Sequence, residues 1–568
     1  MPIPDNEIVE ITANERPHKE WMVMIYLAGD NNLSEGMAGA FRNFGQAIWD
    51  YPRNSSNVSI LVFFDGAAAN TPSYYCDYTD PDEPELVRVK ETNAAKSYTL
   101  GTFFGWCQKR YEASHHLLFL SGHSDGFQGI SLMKDDSSGE AMNLYWLRDT
   151  LERATTSDFF GRPLDVICFD SCVMSMVEVA FELRKTADYF VSSQGFLPVE
   201  GINYRNALFD LMNDPKKNSA KDVAISIVNS YIESQAVYAI AGRSVVLSAC
   251  QLISFKDDDP KYKEEHRGEY RAIEKVVENL NTLSLLLRDS LNPDVVYGEL
   301  FDSITPDSDK EAKLAEFYRI SENLEKLRRA ILFCQWNAQS FLFEQTIDII
   351  DFCYWLEMEC DFYSDQFTGI KLICEKLRYY AERCVIISAS RGEDYQRAQG
   401  LSLFFPWTCL GYQISENPYK RLELFKENED KSRLNHWCEF LEVYLYKITS
   451  NKNLNRIGLI SLLDRLYPQL GTTDMDKLEK LDEKTKKTLS TLTGFKDSKH
   501  IGDSKHIGDS KHIGDSKHIG DSKHIGDSKH IGDSKDSYLS YFAKYKNVPP
   551  IPLEQLEEDL KNAGRVIQ

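Results

Sequence analysis

Two cysteines lie four residues apart in VICFDSCVMSM, residues 166–176, where an apolar run gives way to a helix-like pattern. A cysteine thiolate is a strong nucleophile, so this stretch could support covalent catalysis. Cys168 falls halfway along a predicted strand and is expected to point into the sheet packing. Cys172 falls at the strand exit, just before a helix predicted from about Val173. Because the amide groups and dipole of a helix N-terminus stabilise a thiolate, we expect a lowered pKa for Cys172.

A thiol nucleophile needs a group that takes up its proton and later protonates the leaving group, and one histidine can do both. Among the 12 histidines of the chain, His123 alone follows a predicted strand at its carboxyl end and precedes a turn-like SDG, in LLFLSGHSDG. In open parallel sheets, reactive residues collect beyond the carboxyl ends of the strands. His123 and Cys172 are therefore the candidate base and nucleophile. The alternatives are an ordinary loop histidine and a packed cysteine.

The framework that positions this pair is predicted from short apolar runs that alternate with amphipathic helical patterns between Trp21 and about residue 255. The strand-like runs are MVMIYLAG, NVSILVFFDG, HHLLFLSGH, LDVICFDS, DYFVSSQG and SVVLSAC. This alternation indicates an α/β fold with a mainly parallel sheet between layers of helices. YYCDY and ELVRVK are predicted as an antiparallel excursion. Residues 256–450 look mostly helical, with one strand-like run, QGLSLFFPW, near residue 400.

The end of the chain has a different composition. Residues 497–532 are six tandem copies of DSKHIG, each with a single apolar residue, so this segment is predicted to be a flexible linker. Histidine repeats can also bind zinc or nickel, which is the less favoured alternative. Beyond it, SYLSYFAKYKNVPPIPLEQLEEDL regains aromatic and apolar residues and is either a docking segment or disordered.

Charge and cysteine usage narrow the class of protein. A formal net charge of −22 disfavours nucleic acid and anionic membranes as partners. The start, MPIPDNEIVEITANE, lacks the apolar core of a secretory signal, and no run of about 18 apolar residues predicts a membrane span. The 12 cysteines are scattered without CxxC pairs, which indicates reduced thiols rather than disulfides or zinc sites. We therefore predict a cytoplasmic protein.

The order strand–His–strand–Cys resembles the caspase, legumain and gingipain clan of cysteine peptidases, and most closely the clostripain family. Three parts carry the resemblance: WMVMIYLAGDNNL at 21–33, SGHSDG with ICFDSCVMSMVEVAFEL, and QGLSLFFPW at 399–407. The resemblance implies a caspase-like fold and a Cys–His dyad peptidase that cleaves after basic residues. Carried over, Cys172 is the nucleophile and His123 the general acid/base. The oxyanion would be held by the amides of Cys172 and Ser124, where family members often have glycine after the histidine.

Cleavage after Arg or Lys requires carboxylates in the primary specificity pocket. Asp170 matches a pocket acid of the family, and Glu200, in GFLPVEGINY, falls where the family more often has aspartate. The longer glutamate would favour lysine over arginine or shorten the pocket. The alternatives are that Asp170 caps the next helix and that Glu200 is a solvated loop acid.

Relatives are often made as zymogens and cut between the histidine and cysteine strands. The polar loop SLMKDDSSGEAMN contains one basic residue, Lys134, which is the candidate processing site. Arg162 is the second choice, because Arg148 and Arg153 fall in a predicted helix. An intracellular protease with basic specificity would be hazardous if it were always active. We therefore hypothesise a latent peptidase that is activated by self-cleavage or by a partner protease, in a defence or stress cascade.

No cofactor is expected to be required. Calcium is possible, because some relatives need it and Asp30 and Asp65 are strand-end carboxylates that could supply oxygen ligands. The main alternative to an enzyme is a catalytically silent scaffold that uses the same fold to bind partners. A thiol-dependent hydrolase of another type is a third possibility.

At 568 residues the chain is too long for one compact core. Its predicted segments are an N-terminal extension (1–20), a caspase-like peptidase domain (21–255), a mainly helical C-terminal domain (256–450), a linker or helical segment (451–496), the repeat linker (497–535) and a tail (536–568).

Overall fold

A computed structural model of the chain describes most residues between 16 and 449. The described ranges are 16–48, 57–67, 72–80, 84–128, 131–156, 159–235, 243–256, 268–341, 345–362, 367–426, 435–449, 461–462 and 465–466. The DSKHIG repeat and the tail lie outside the described residues, so the predictions made for them stay predictions.

The described residues form twelve strands in two sheets. They are β1 (His18–Gly29), β2 (Val58–Gly66), β3 (Ser73–Asp77), β4 (Glu85–Val89), β5 (Glu112–Ser121), β6 (Leu164–Asp170), β7 (Ala187–Ser192), β8 (Val245–Gln251), β9 (Ser340–Phe341), β10 (Thr346–Asp348), β11 (Val385–Arg391) and β12 (Ser402–Phe404). The large sheet has the order β11-β8-β7-β6-β5-β1-β2-β3-β4, and the small one β12-β10-β9.

Five adjacent strands of the large sheet, β7, β6, β5, β1 and β2, run parallel to one another. At both edges the pairing becomes antiparallel: β3 pairs antiparallel with β2 and β4 with β3 on one side, and β8 with β7 and β11 with β8 on the other. The predicted mainly parallel α/β sheet and the antiparallel excursion are confirmed. Because the five central strands run parallel, the segments that follow them leave from one common edge of the sheet.

The two faces of the sheet are apolar because the central strands carry apolar side chains at nearly every position. Along β1, Trp21, Val23 and Ile25 pack into one cluster, and Met22 and Met24 pack into the other. This is the period of two that a strand imposes, applied to a strand that is buried on both sides.

Helices cover both faces, as predicted. The face that contains Trp21 is covered by α1 (Ser34–Ile48), α5 (Tyr204–Asn213) and α6 (Ala220–Ser234). The opposite face is covered by α2 (Ser97–Arg110), α3 (Leu144–Ala154), α4 (Val177–Leu183), α7 (Ala272–Leu291), α10 (Lys310–Asn337), α11 (Ile349–Phe362) and α12 (Thr368–Cys384). The remaining helices are α8 (Pro293–Val296), α9 (Gly298–Asp302), α13 (Cys409–Tyr419) and α14 (Trp437–Glu442). Among the described residues, no helix is long and apolar enough to cross a bilayer.

The region after residue 256 contains more strand than its sequence pattern predicts. β11 joins the large sheet beside β8. β10 pairs with β12, in the predicted strand-like run near residue 400, and β9 pairs with the other edge of β10. β9 and β10 have two and three residues and give almost no periodic signal, so the sequence pattern did not predict them. The seven residues of β11 were also missed, although they begin with an apolar run. The segment boundary at residue 255 stays a prediction, and it follows a change in secondary structure rather than a break in packing. One hydrophobic cluster includes residues from Met22 to Leu445.

A buried ion-pair network ties α3 and α4 to a turn near residue 423. Arg148 Nη1 lies 2.6 Å from Glu182 Oε2, and Arg184 Nη2 lies 2.8 Å from Glu423 Oε1. Burial raises the pKa of Glu182, and its contact with Arg148 opposes that rise. Glu182 is 1% exposed, so its charge depends on these partners rather than on water.

Replacing Arg148 with methionine should lower the free energy of unfolding by about 3 kcal/mol, because the Glu182 carboxylate would stay buried without its cation. Arg153→Met is the matched control, since Arg153 is exposed on the same helix. The measurement is chemical denaturation of both variants. Equal losses of stability in the two variants would contradict a special role for the buried pair.

Candidate active site

The predicted base and nucleophile follow neighbouring strands at the same edge of the sheet. Ser121, the last residue of β5, lies opposite Asp170, the last residue of β6, and the chain continues from them to His123 and Cys172. The two segments are also bonded to each other, because the Ser124 hydroxyl donates to the Cys172 carbonyl. The structure thus brings together His123, Ser124 and Cys172, as the strand pattern predicts.

The imidazole of His123 is oriented by a residue that the sequence analysis missed. Its Nε2 lies 2.6 Å from Asn32 Oδ1. An amide oxygen only accepts hydrogen bonds, so Nε2 carries the hydrogen and Nδ1 is left to accept a proton. Burial and the nearby Lys134 ammonium lower the pKa of His123, which keeps the ring neutral. The available signal was positional: AGDNNL ends β1, and β1 lies beside β5.

The thiol of Cys172 is half-buried and accepts a hydrogen bond from the Leu197 amide, with N···Sγ at 3.4 Å. Burial raises its pKa to about 11, and the Leu197 amide opposes this rise. The expected lowering of the pKa is therefore wrong. Its premise also fails, because α4 begins only at Val177 and its N-terminus is not adjacent to the thiol. Cys168 is fully buried in the core, as predicted.

The turn after Cys172 is held in an unusual backbone conformation. Val173 has φ of 55°, and Met133, whose amide donates to the His123 carbonyl at 3.0 Å, has φ of 49°. Within the described part of the chain, these are the two non-glycine residues with positive φ. A β-branched residue in this region is strained by roughly 1–3 kcal/mol, so surrounding contacts must hold it there. This conformation is also why no helix starts at Val173.

The two amides predicted to bind an oxyanion belong to Ser124 and Cys172. Among the residues that the structure describes, no acceptor pairs with either of these N–H groups. The bond from the Ser124 hydroxyl to the Cys172 carbonyl joins the two segments that carry them. The arrangement is compatible with an oxyanion hole, and that role stays a prediction.

The carboxyl group of Asp170 is buried and accepts three hydrogen bonds. It accepts from the Ser121 hydroxyl at 2.9 Å, the Ile202 amide at 2.9 Å and the Tyr204 hydroxyl at 2.7 Å. Burial raises its pKa, and these donors oppose the rise. The alternative role as a cap of the next helix is wrong: the described residues place no side-chain cap on α4, and Asp170 instead anchors the start of α5.

Glu200 lies in an exposed turn close to Asp170. Its neighbour Gly201 has φ of 59°, and a Cβ built there would lie 2.7 Å from Asp170 Oδ1. Only glycine allows this turn to pack so closely on the buried carboxylate. The turn therefore brings Glu200 near Asp170 in the chain path, while their roles as pocket acids stay predictions.

The candidate processing residue Lys134 lies in the loop that bonds to the His123 carbonyl. Its ammonium pairs with Asp136 at 2.7 Å, and its carbonyl accepts from Asn31 Nδ2 at 2.8 Å. On the other side of the Lys134–Asp135 bond, the Asp135 amide donates to the Glu140 carbonyl at 2.9 Å. The peptide bond is thus held on both sides by the folded loop.

The two candidate calcium ligands are both buried at the same sheet edge. Asp65 accepts from the Ser73 hydroxyl at 2.8 Å and from the Ala94 amide at 3.2 Å, and burial raises its pKa to about 7. In the described ranges, no group of three His, Cys, Asp or Glu side chains is arranged to hold a metal ion. A requirement for calcium at Asp30 and Asp65 stays a prediction.

The rate at which iodoacetamide alkylates Cys172 in the uncut chain should rise by about tenfold per pH unit from pH 7 to pH 10. Only the thiolate reacts, and the thiolate fraction grows in this way below a raised pKa. Site-resolved mass spectrometry of the modified peptide measures the rate. A small thiol compound with an ordinary pKa is the reference, and a plateau for Cys172 at or below that reference would contradict a raised pKa.

Comparison with known proteins places the site within a matched segment. Residues 25–258 match the model of the Clostripain family. Clostripain from Hathewaya histolytica is 23% identical over 244 residues, which cover 36% of this chain and 44% of clostripain. The match therefore spans less than half the length of that relative.

Two solved structures match the chain at low sequence identity. A secreted C11 cysteine protease from Bacteroides thetaiotaomicron, in complex with an irreversible peptide inhibitor, is 16% identical, with a TM-score of 0.46 over 72% of this chain and 98% of its own. An inactive zymogen C11 protease from Parabacteroides distasonis is 18% identical, with a TM-score of 0.46 over 72% of this chain and 97% of its own. The match to the family model confirms the resemblance to the clostripain family for residues 25–258, the segment that contains both His123 and Cys172.

Proposed function

We propose that this protein is a cysteine endopeptidase in which Cys172 is the nucleophile and His123 the general acid/base. The observation that carries the proposal is their placement: both follow adjacent parallel strands at one sheet edge, inside the matched segment. The bond from Ser124 to the Cys172 carbonyl supports it, because it ties the two segments together.

The protonation states favour general-base catalysis over a preformed ion pair. The Cys172 thiol is protonated at neutral pH and the His123 imidazole is neutral, since burial moves both pKa values in those directions. Nδ1 of His123 takes the thiol proton as Sγ attacks the substrate carbonyl carbon. The same proton then goes to the leaving amine, and the base next activates the water that hydrolyses the thioester.

Cleavage after basic residues is part of the same proposal. Asp170 adds a buried negative charge beneath the turn that contains Glu200, and Glu200 is exposed and able to meet a Lys or Arg side chain. In this arrangement Asp170 acts on the pocket through the turn at Gly201, whereas Glu200 makes the direct contact. The substrates would be proteins or peptides with Arg or Lys before the cleaved bond.

The uncut loop supports latency. The peptide bond after Lys134 is hydrogen bonded on both sides within the loop, whereas peptide segments commonly bind to proteins as extended strands. Cutting at Lys134 therefore requires the loop to open first. We propose that self-cleavage or a partner protease does this in a defence or stress cascade. The cytoplasmic location stays a prediction.

Cys172→Ala should abolish both self-cleavage, followed on a gel, and turnover of fluorogenic Arg and Lys peptides, measured on the same samples as wild type. Loss of the nucleophile should lower kcat/KM by a factor of about 10³ or more. Wild type should split into fragments, the downstream one starting at Asp135, while the variant stays whole.

Trace trypsin added to both samples separates latency from lack of activity. Activity that appears only then, and only in wild type, would support activation by another protease. Wild type that stays inactive on peptides and esters after cleavage would favour the scaffold, and ester hydrolysis alone would favour another thiol hydrolase. A downstream fragment that begins after Arg162 would move the processing site there.

Glu200→Gln should lower kcat/KM for Arg and Lys peptides by about 10- to 100-fold, because a charge-assisted contact to the substrate cation is lost. Turnover of a peptide with glutamine before the cleaved bond should change little. Glu233→Gln removes the same charge from an exposed helix position and is the matched control. Unchanged preference for basic residues in Glu200→Gln would exclude this residue from the pocket.

A further inference from the structure

The loop that follows β7, residues 193–197, bonds directly to the turn at Cys172. The Leu197 amide donates to the Cys172 thiol at 3.4 Å. The carbonyl of Gly195 accepts from the amide of Val173, the strained residue next to the nucleophile, at 3.0 Å. The position of this loop therefore sets both the hydrogen bond to the thiol and the conformation of the turn that presents it.

The centre of this loop is fixed by a single buried side chain. Gln194 is 0% exposed, and both ends of its amide are used. Its Nε2 donates to Asp348 Oδ2 at 2.9 Å, and its Oε1 accepts from the Gly400 amide at 2.8 Å. Gln194 thus links the loop beside Cys172 to two segments that lie outside the family match.

Asp348, the last residue of β10, is the acceptor at the centre of these contacts. Its Oδ2 also accepts from the Gln399 amide at 2.7 Å, and its Oδ1 accepts from the Ile350 and Asp351 amides, both at 3.0 Å. Four N–H groups from three segments converge on one carboxyl group that is 0% exposed. An uncharged amide cannot replace it, because its NH₂ group would face N–H donors.

Buried hydrogen bonds also join the 399–402 segment to the residues that follow the Cys172 turn. Ser175 accepts at its carbonyl from the Ser402 amide at 2.9 Å, and its hydroxyl donates to the Gly400 carbonyl at 2.7 Å. The Ser248 hydroxyl donates to that carbonyl as well, at 2.9 Å. The turn, the loop and the 399–402 segment therefore hold one another in place through fully buried polar groups.

We propose that Asp348 is a positioning residue for the peptidase reaction. It acts through Gln194: it holds the 193–197 loop so that the Leu197 amide meets the Cys172 thiol and Val173 keeps its strained conformation. The inference rests on the proposed function. It assigns the region beyond the family match a role in positioning the reacting groups. Asp348 touches no reacting atom in this arrangement.

Asp348→Asn tests the proposal, because it keeps the shape and turns one acceptor into a donor. In the activated enzyme, kcat should fall by about 10- to 100-fold while KM changes by less than about threefold, since misaligned reacting groups slow the chemical step rather than binding. The rate of Cys172 alkylation at fixed pH should change with it. Gln194→Glu combined with Asp348→Asn restores an acceptor opposite the new amide and should recover part of the lost kcat.

Glu357→Gln is the matched control for general destabilisation. Glu357 is a nearly buried carboxylate on α11, the helix that follows Asp348, and it pairs with Arg378 at 3.0 Å, away from the loop. The control should lower the melting temperature yet keep kcat. If Asp348→Asn does not fold, Gln194→Met removes the link to the loop and leaves Asp348 bonded to the start of α11.

The outcomes distinguish the proposed peptidase function from the positioning role of Asp348. An absence of Cys172-dependent peptidase activity in the wild type would contradict the proposed function itself. Active wild type with an unchanged kcat in Asp348→Asn or in Gln194→Met would overturn the positioning role alone. So would a loss of kcat that merely follows the melting temperature across these variants and Glu357→Gln.

Discussion

The parallel pairing of β5 with β6 is the constraint on which the candidate site depends. With Ser121 opposite Asp170, the next residues of both strands leave the sheet side by side, and His123 and Cys172 follow at matching positions. A shift of the register by one residue would turn the apolar side chains of β6 to the wrong faces, so the core itself protects this alignment. The sheet thus sets the geometry of the site before any loop contact forms.

Features of the fold and the site that depend on neighbouring residues in the chain are predictable from the sequence, whereas those that depend on contacts between distant residues are not. Strands buried on both faces appear as apolar runs, and position along such a run separates Cys168, inside β6 and in the core, from Cys172, beyond the end of the strand. The left-handed turn at Val173 was not predictable, because it is bonded to a carbonyl more than twenty residues away in the chain. Asn32 was missed for the same reason: its contact with His123 exists only once β1 lies beside β5. Local patterns therefore predict the sheet and its reactive edge, whereas long-range bonds set the details.

The protonation of the site reflects a competition between burial and dipoles. An adjacent helix N-terminus would favour a thiolate, but α4 starts too late, and burial dominates at Cys172. The Lys134 ammonium adds to burial at His123 and keeps the ring neutral. The resting site therefore contains an uncharged thiol and imidazole, which avoids the desolvation cost of a buried ion pair. In the proposed mechanism, charge separates only when a substrate carbonyl is present to be attacked.

Burial raises the pKa of Asp348 to about 7, and its hydrogen-bond donors oppose that rise by stabilising the charged form. Burying this carboxylate is tolerable only while all four donors are in place, since an unpaired buried charge is far more costly than a lost neutral hydrogen bond. Those donors come from the loop beside Cys172, from the start of α11 and from the segment before β12. If any one of these three segments moved away alone, the Asp348 carboxylate would lose hydrogen-bond donors while it stayed buried. The carboxylate therefore couples the order of the loop beside Cys172 to the folding of a region more than 150 residues further along the chain. The placement of β11 in the large sheet has the same effect on the scale of the backbone, because the central sheet is complete only when that later region is folded.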